Sequence, residues 1–115
     1  MTIAQMMEMQ DELQAKYAGK WTKLSPENGH FSVLWMMEEI GEIVAILKKR
    51  GNSAVMEDET VRAAFVEECA DVMMFYLDLL KCFDVTPEEF EQVYRAKHER
   101  NMGRDFIAEH DNYLK

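Results

Sequence analysis

Three glutamates lie in the most apolar part of the chain, the segment WMMEEIGEIVAIL at residues 35–47. In a helix, residues three and four positions apart project from the same side, so Glu38, Glu39 and Glu42 would lie within about one turn of each other. Like charges at this spacing destabilise a helix, and burial of an ionised carboxylate without a partner costs free energy or raises its pKa. These glutamates therefore require a neutralising partner.

A second acidic pair repeats this arrangement further along the chain. In the segment EECAD, Glu68 and Asp71 are three residues apart and lie within another mostly apolar run. Two antiparallel helices that each offer carboxylates one turn apart would form a cluster of oxygen donors. Carboxylate oxygens without His or Cys ligands select Mg²⁺ or Mn²⁺ over zinc or copper. The two segments together indicate a site for a divalent cation.

Acidic pairs on helices also have an ordinary explanation, because most of them belong to a face that water solvates. A single pair would favour that explanation. Here both groups lie inside the most apolar predicted helices, and no Lys or Arg occupies the same turns. The sequence therefore favours a metal site over a solvated face.

The order and spacing of these acids resemble a known signature. Glu38-Glu39-x-x-Glu42, followed after 25 residues by Glu68-x-x-Asp71, is similar to the EExxE…ExxD motif of the MazG-like all-α nucleoside triphosphate pyrophosphohydrolases. That superfamily includes the dimeric dUTPases and the dCTP pyrophosphatases. The resemblance implies an all-α, four-helix bundle completed by formation of a homodimer or tetramer. It also implies a Mg²⁺-dependent hydrolase that cleaves the α–β phosphate bond of a (deoxy)nucleoside triphosphate and releases the monophosphate and pyrophosphate.

The same resemblance assigns roles to individual acids. It implies that the metal ligands are Glu39, Glu42, Glu68 and Asp71. Glu38 would be the catalytic residue, either as the base on the attacking water or as a ligand to a further metal ion. Glu67 lies four residues before Asp71 and would replace Glu68 if that helix were rotated, but the spacing of three in the signature favours Glu68.

Three residues near the end of the chain are candidates for phosphate binding. The resemblance implies a Lys, Asn and Arg set on the helix after the ExxD motif, and Lys97, Asn101 and Arg104 match it at spacings of four and three. A triphosphate needs cationic donors, and positions with this spacing share one face of a helix. The alternative is a solvated helix end whose cations compensate the helix dipole.

Three further residues near the acidic segments have two interpretations each. Trp35 lies one helical turn before Glu39 on the same side, where its ring is either a contact for a planar base or part of the core. Trp21, in a predicted loop, has the same two interpretations. Asp78, two turns beyond Asp71, is either a supporting group for the metal ligands or an exposed residue.

Four helices are predicted to position these residues. Periodicity, caps and helix breakers place them at about residues 3–17, 30–50, 60–83 and 87–101. Thr60 and Thr86 are the expected N-caps of the third and fourth helices. A loop follows the first helix, GNSAVMEDE is a polar connection, and residues 103–115 form a tail. We expect one domain over residues 1–115, in which residues 1–28 are the first helix and its loop.

Composition and charge narrow the classes of function. The 115 residues are 48% hydrophobic with 5 Gly and 2 Pro, which favours a globular all-α protein. A net charge of −9 disfavours nucleic acid polymers and anionic membranes as partners, but permits a small anionic ligand bridged by metal ions. No signal peptide pattern and no membrane-spanning run is present, and the two cysteines suit reduced thiols. A cytoplasmic protein is therefore expected.

The second predicted helix is apolar on two sides. Four helices from so short a chain cannot cover both of its sides, so we expect a homo-oligomer, with a dimer favoured. An alternative from another class of function is a non-catalytic helical interaction protein whose acidic metal site is structural or vestigial. The two interpretations differ in whether the chain hydrolyses nucleotides when Mg²⁺ is supplied.

Overall fold

The regular structure of the chain is helical throughout residues 1–104, the part that the computed structural model describes. A short 3₁₀ turn, Pro26–Asn28, precedes the second helix. The five α-helices are α1 Ile3–Lys16, α2 Gly29–Arg50, α3 Asn52–Glu57, α4 Glu59–Cys82 and α5 Pro87–Gly103. The all-α prediction is confirmed, whereas the prediction of four helices is wrong. Residues 105–115 of the predicted tail lie outside the described residues.

The additional helix, α3, lies in the segment predicted to be a polar connection. It follows Gly51, whose positive φ of 87° allows the chain to leave α2 sharply. Within α3, Val55 is buried, and the helix packs against both α4 and α2. One buried apolar residue is too weak a periodic signal to predict a helix, but tertiary packing stabilises this short one.

Helices α4 and α5 each begin at a polar residue whose side chain caps the helix. Asp58 caps α4, because its Oδ1 accepts hydrogen bonds from the backbone N–H groups of Thr60 at 2.9 Å and Val61 at 3.2 Å. The expected cap at Thr60 is therefore wrong by two residues. The expected cap of α5 is confirmed, since Thr86 Oγ1 accepts from the N–H of Glu89 at 3.1 Å.

Helices α2 and α4 form the most extensive contact in the fold and run antiparallel. The start of α2 lies beside the end of α4, where Ser32 Oγ and Cys82 Sγ are 3.9 Å apart. A Cβ on Gly29 would lie 2.4 Å from a carbon of the Phe83 ring, so glycine is what permits this close approach. At the other end, Arg50 pairs with Asp58 at 3.7 Å. This antiparallel register is the one that two facing acidic segments require.

Helices α1 and α3 also pack on α4, so α4 lies at the centre of this part of the chain. The buried apolar side chains of the described residues are few, namely Met7, Val55, Val61, Leu77 and Cys82. Contacts divide the chain into two compact units, Met1–Val85 and a second that begins at Thr86 and contains α5. Both cysteines are free thiols. No helix within residues 1–104 is long and apolar enough to cross a membrane.

Candidate metal centre

The pairing of α2 with α4 brings three of the predicted metal ligands together. Glu39 on α2 and Glu68 and Asp71 on α4 each offer a carboxylate oxygen, and these oxygens all lie within 4.8 Å of one another. All three residues are half-buried. Ligand oxygens on opposite sides of a Mg²⁺ ion lie about 4 Å apart, and around Ca²⁺ about 5 Å. The group of three, called here the acidic triad, therefore has the dimensions and the chemistry of a site for one hard divalent cation.

One oxygen of the triad has no partner in the described chain. Glu68 Oε2 is inaccessible to solvent and accepts no hydrogen bond. An unsatisfied buried oxygen is costly, and more so when it carries charge. A proton or a cation would remove that cost, and a cation would do so for all three carboxylates together. This oxygen is the observation that distinguishes the triad from a solvated acidic face.

The repulsion within the triad is visible in the pKa of Glu39. It is raised from 4.5 to about 7, first because the carboxyl of Glu39 can share a proton with that of Glu68. Burial adds to the rise, and so do the negative charges of Glu68, Asp71 and Glu42. Without a cation, the triad therefore takes up a proton near neutral pH.

The other predicted acids are not part of the triad. Glu42 and Glu38 are exposed, and Glu42 acts on Glu39 through its charge. Residues 39 and 42 point in directions that differ by about 60° around a helix. Glu39 therefore faces α4, whereas Glu42 lies at the edge of the contact between α2 and α4. Of the two alternatives on α4, Glu68 lies in the triad and Glu67 is exposed.

A cleft of about 430 Å³ adjoins the triad within the first unit. This volume is in the range of small-molecule sites. Glu38 and Glu39 lie on its lining, so the cleft opens directly on the acids of α2. Its aromatic lining comes from Trp21, Trp35 and Phe75. The arrangement offers an apolar, aromatic surface next to a cation-binding group.

Trp35 and Trp21 reach this cleft from different parts of the chain. Trp35 is half-buried on α2 and lies between Phe31, at a ring-centroid distance of 5.6 Å, and Phe75 of α4, at 6.0 Å. Trp21 is exposed in the connection between α1 and α2 and stacks on Tyr17 at 4.5 Å. Trp35 therefore combines the two interpretations of the sequence, since it packs on other rings and lines the cleft.

Sequence reasoning missed a buried polar pair, of which one member, Asp78, lines the same cleft. Asp78 of α4 is 6% exposed, so the interpretation of Asp78 as an exposed residue is wrong. Its Oδ1 accepts a hydrogen bond of 2.9 Å from Nε2 of Gln10, which is itself buried on α1. The available signal was a single acid inside the apolar run FYLDLLKCF. Its partner is 68 residues away, and helical spacing cannot reveal such a contact.

The predicted phosphate-binding residues belong to the second unit. Lys97 and Asn101 lie on α5 one turn apart, and therefore share a face. Arg104 follows the helix in an extended conformation, and its N–H donates to the carbonyl of Asn101 at 3.3 Å. The helical spacing of the set therefore holds for two of its three members, and its binding of phosphate stays a prediction.

Comparison with known proteins adds no relative to this description. No family model matches the chain, and neither the curated proteins nor the solved structures include a significant match. The fold and the site define an all-helical chain with an acidic triad between two antiparallel helices. Its function must therefore be argued from the residues themselves.

Proposed function

We propose that this chain is a Mg²⁺-dependent nucleoside triphosphate pyrophosphohydrolase. The observation that carries the proposal is the triad of Glu39, Glu68 and Asp71, in which the buried Glu68 Oε2 lacks a partner. The aromatic cleft beside the triad supports a substrate that joins a planar ring to an anionic group. The similarity of the acidic segments to the MazG-like signature supports the same class of reaction.

The triad residues would hold the ion, with Mn²⁺ as an alternative to Mg²⁺. A bound Mg²⁺ would neutralise phosphate charge and lower the pKa of a water molecule. Glu42 at the edge of the triad would extend the ligand set. Glu38, exposed on the lining of the cleft, would orient the attacking water or accept its proton. The resemblance assigns phosphate binding to Lys97, Asn101 and Arg104 of the second unit, as donors of positive charge and hydrogen bonds.

The direct test is a product assay over a panel of ribo- and deoxyribonucleoside triphosphates. With Mg²⁺ we expect equal amounts of nucleoside monophosphate and pyrophosphate, and with a chelator we expect neither. Release of inorganic phosphate and a diphosphate would contradict the proposed bond of cleavage. A chain that releases nothing from any triphosphate would instead be the non-catalytic helical interaction protein. Its thermal midpoint would rise with Mg²⁺ if the metal site is structural and would not respond if the acids are merely solvated.

We also propose that the chain acts as a homodimer or a homotetramer. Helix α2 carries a row of apolar side chains that are between 43 and 61% exposed, namely Leu34, Met37, Ile40 and Val44. These positions span about 120° of the helix surface, on a different side from Glu39. A contiguous apolar row of this kind is typical of a protein–protein interface. A second copy of the chain would cover it and enlarge a small core.

Replacing Met37 by Lys should weaken this assembly. A charge in the middle of the apolar row would have to be desolvated on association, so we expect a shift from dimer to monomer. Light scattering should give two or four times the 13.5 kDa of the chain for the parent and a lower mass for Met37→Lys. Met56→Lys is the matched control, since Met56 is 74% exposed on α3, outside the row. A monomeric parent would contradict the proposal.

A further inference from the structure

Asp78 is the one buried acid of the cleft lining, and the proposed hydrolysis does not use it. It lies on α4 two turns beyond Asp71, on the same cleft as Trp35 and Phe75. The residue is 6% exposed, and burial raises its pKa, although Gln10 and Lys81 oppose that rise. A buried carboxylate costs free energy unless hydrogen bonds or an opposite charge compensate it.

The known contacts of Asp78 leave it able to accept a further hydrogen bond. Gln10 donates to Oδ1 at 2.9 Å, and the same amide donates to the carbonyl of Met74 at 3.5 Å. Lys81, one turn along α4, forms its ion pair with Asp11 of α1. In the described part of the chain, no Lys or Arg pairs with Asp78. Gln10 therefore fixes the orientation of the carboxylate without neutralising its charge.

We propose that Asp78 selects the base of the substrate, by accepting a hydrogen bond from an exocyclic amino group. The inference rests on the proposed function in taking the ligand of the cleft to be a nucleotide. The aromatic lining of Trp21, Trp35 and Phe75 offers π faces to a planar ring, and ring stacking alone tolerates every base. Discrimination would then come from a polar group of the cleft lining, and Asp78 is a buried acid of that lining.

The chemistry of a carboxylate gives the direction of this selection. An ionised carboxylate only accepts hydrogen bonds, and it pairs with the amino group at position 4 of cytosine. Uracil and thymine carry a carbonyl oxygen there, so two acceptors would face each other and both would lose their water. A base with an amino group is therefore favoured over a 2,4-dioxopyrimidine. One such contact is worth a discrimination of about 5-fold or more.

The two tryptophans provide the measurement. The chain contains 2 Trp, Trp21 and Trp35, and both line the cleft, so their fluorescence reports binding directly. Cytidine and uridine are titrated against the full chain without divalent metal. The two nucleosides differ only in the groups at positions 3 and 4 of the ring. We expect cytidine to bind at least about 5-fold more tightly than uridine, and the Asp78→Asn variant to lose most of this ratio.

Asp84→Asn is the matched control, because it makes the same chemical change at an exposed position after α4, away from the cleft lining, where Asn tolerates the positive φ as Asp does. It should keep the parental ratio. N4,N4-dimethylcytidine tests the proposal without any variant, since its amino group has no hydrogen to donate. It should bind the parent as weakly as uridine, and this result is obtained even if Asp78→Asn fails to fold.

Equal binding of cytidine and uridine by the parent would overturn the assignment of Asp78, as would a ratio that survives Asp78→Asn. Neither result depends on phosphate chemistry, because nucleosides carry no phosphate and the titration contains no metal. A chain that prefers cytidine but releases no pyrophosphate would sink the proposed hydrolysis and leave the base selection intact. A chain that releases pyrophosphate but binds all bases equally would support the proposed hydrolysis and overturn the base selection by Asp78.

Discussion

Replacing Glu68 by Gln should lower Mg²⁺-dependent pyrophosphate release by at least about 100-fold. The same variant should raise the thermal midpoint of the metal-free chain by a few degrees. Activity falls because the amide removes a charged ligand from the centre of the triad. Stability rises because the amide relieves repulsion with Glu39 and Asp71, although solvent screening at these half-buried groups keeps the gain small.

Glu67→Gln is the control for this experiment, since it makes the identical change one residue earlier at an exposed position. It should retain close to parental activity and an unchanged thermal midpoint. If Glu67→Gln were inactive and Glu68→Gln active, the face of α4 that holds the cation would have been assigned wrongly. A gain in stability together with a loss of activity in Glu68→Gln alone is expected only of a site whose charges serve a ligand.

The stability of the metal-free chain should fall as pH rises between about 4.5 and about 7. The pKa of Glu39 is raised from 4.5 to about 7 in the folded chain, so the folded state holds its proton over this interval while the unfolded state has lost it. The state that binds more protons is favoured at low pH, and its advantage disappears as pH rises through the folded pKa. Above about pH 7 the contribution of Glu39 is constant and unfavourable.

Thermal midpoints measured from pH 4.5 to 8 in a chelator test this expectation. Other groups also titrate, and burial raises the pKa of Asp78 as well, so the difference from a Glu39→Gln variant is the quantity to compare. That difference should grow with pH up to about 7 and then remain level. Saturating Mg²⁺ should stabilise the parent more at pH 8 than at pH 5, because the cation binds the ionised triad. A pH-independent difference would show that Glu39 titrates normally.

The grouping of the three carboxylates of the triad could be predicted from sequence because it depends largely on local spacing. Glu68 and Asp71 are three residues apart in an apolar run, and any helix there places them on one side. The antiparallel register of α2 and α4 then brings Glu39 to them. Whether Glu42 joins them depends on a rotation of α2 by a fraction of a turn, which packing determines and periodicity does not.

The features that sequence reasoning missed depend on contacts between distant segments. The helix α3 forms because Val55 is buried against its neighbours, and its own propensity is weak. The pair of Gln10 and Asp78 joins α1 to α4 across 68 residues. Periodicity places Gln10 on the apolar stripe of the first helix with Leu13. No local pattern shows that it pairs with Asp78, since both are polar types that usually lie in water.

The cleft is lined by residues of helices and by residues of a connection, and these two kinds of backbone differ in how readily they accept changes of sequence. Glu39, Phe75 and Asp78 lie on long helices, whereas Trp21 and its neighbours Lys20, Thr22 and Leu24 lie in the connection after α1. Connections accept substitutions, insertions and deletions far more readily than packed helices do. Changes in this connection would therefore alter the shape of the cleft around Trp21 and leave the acidic triad and Asp78 in place.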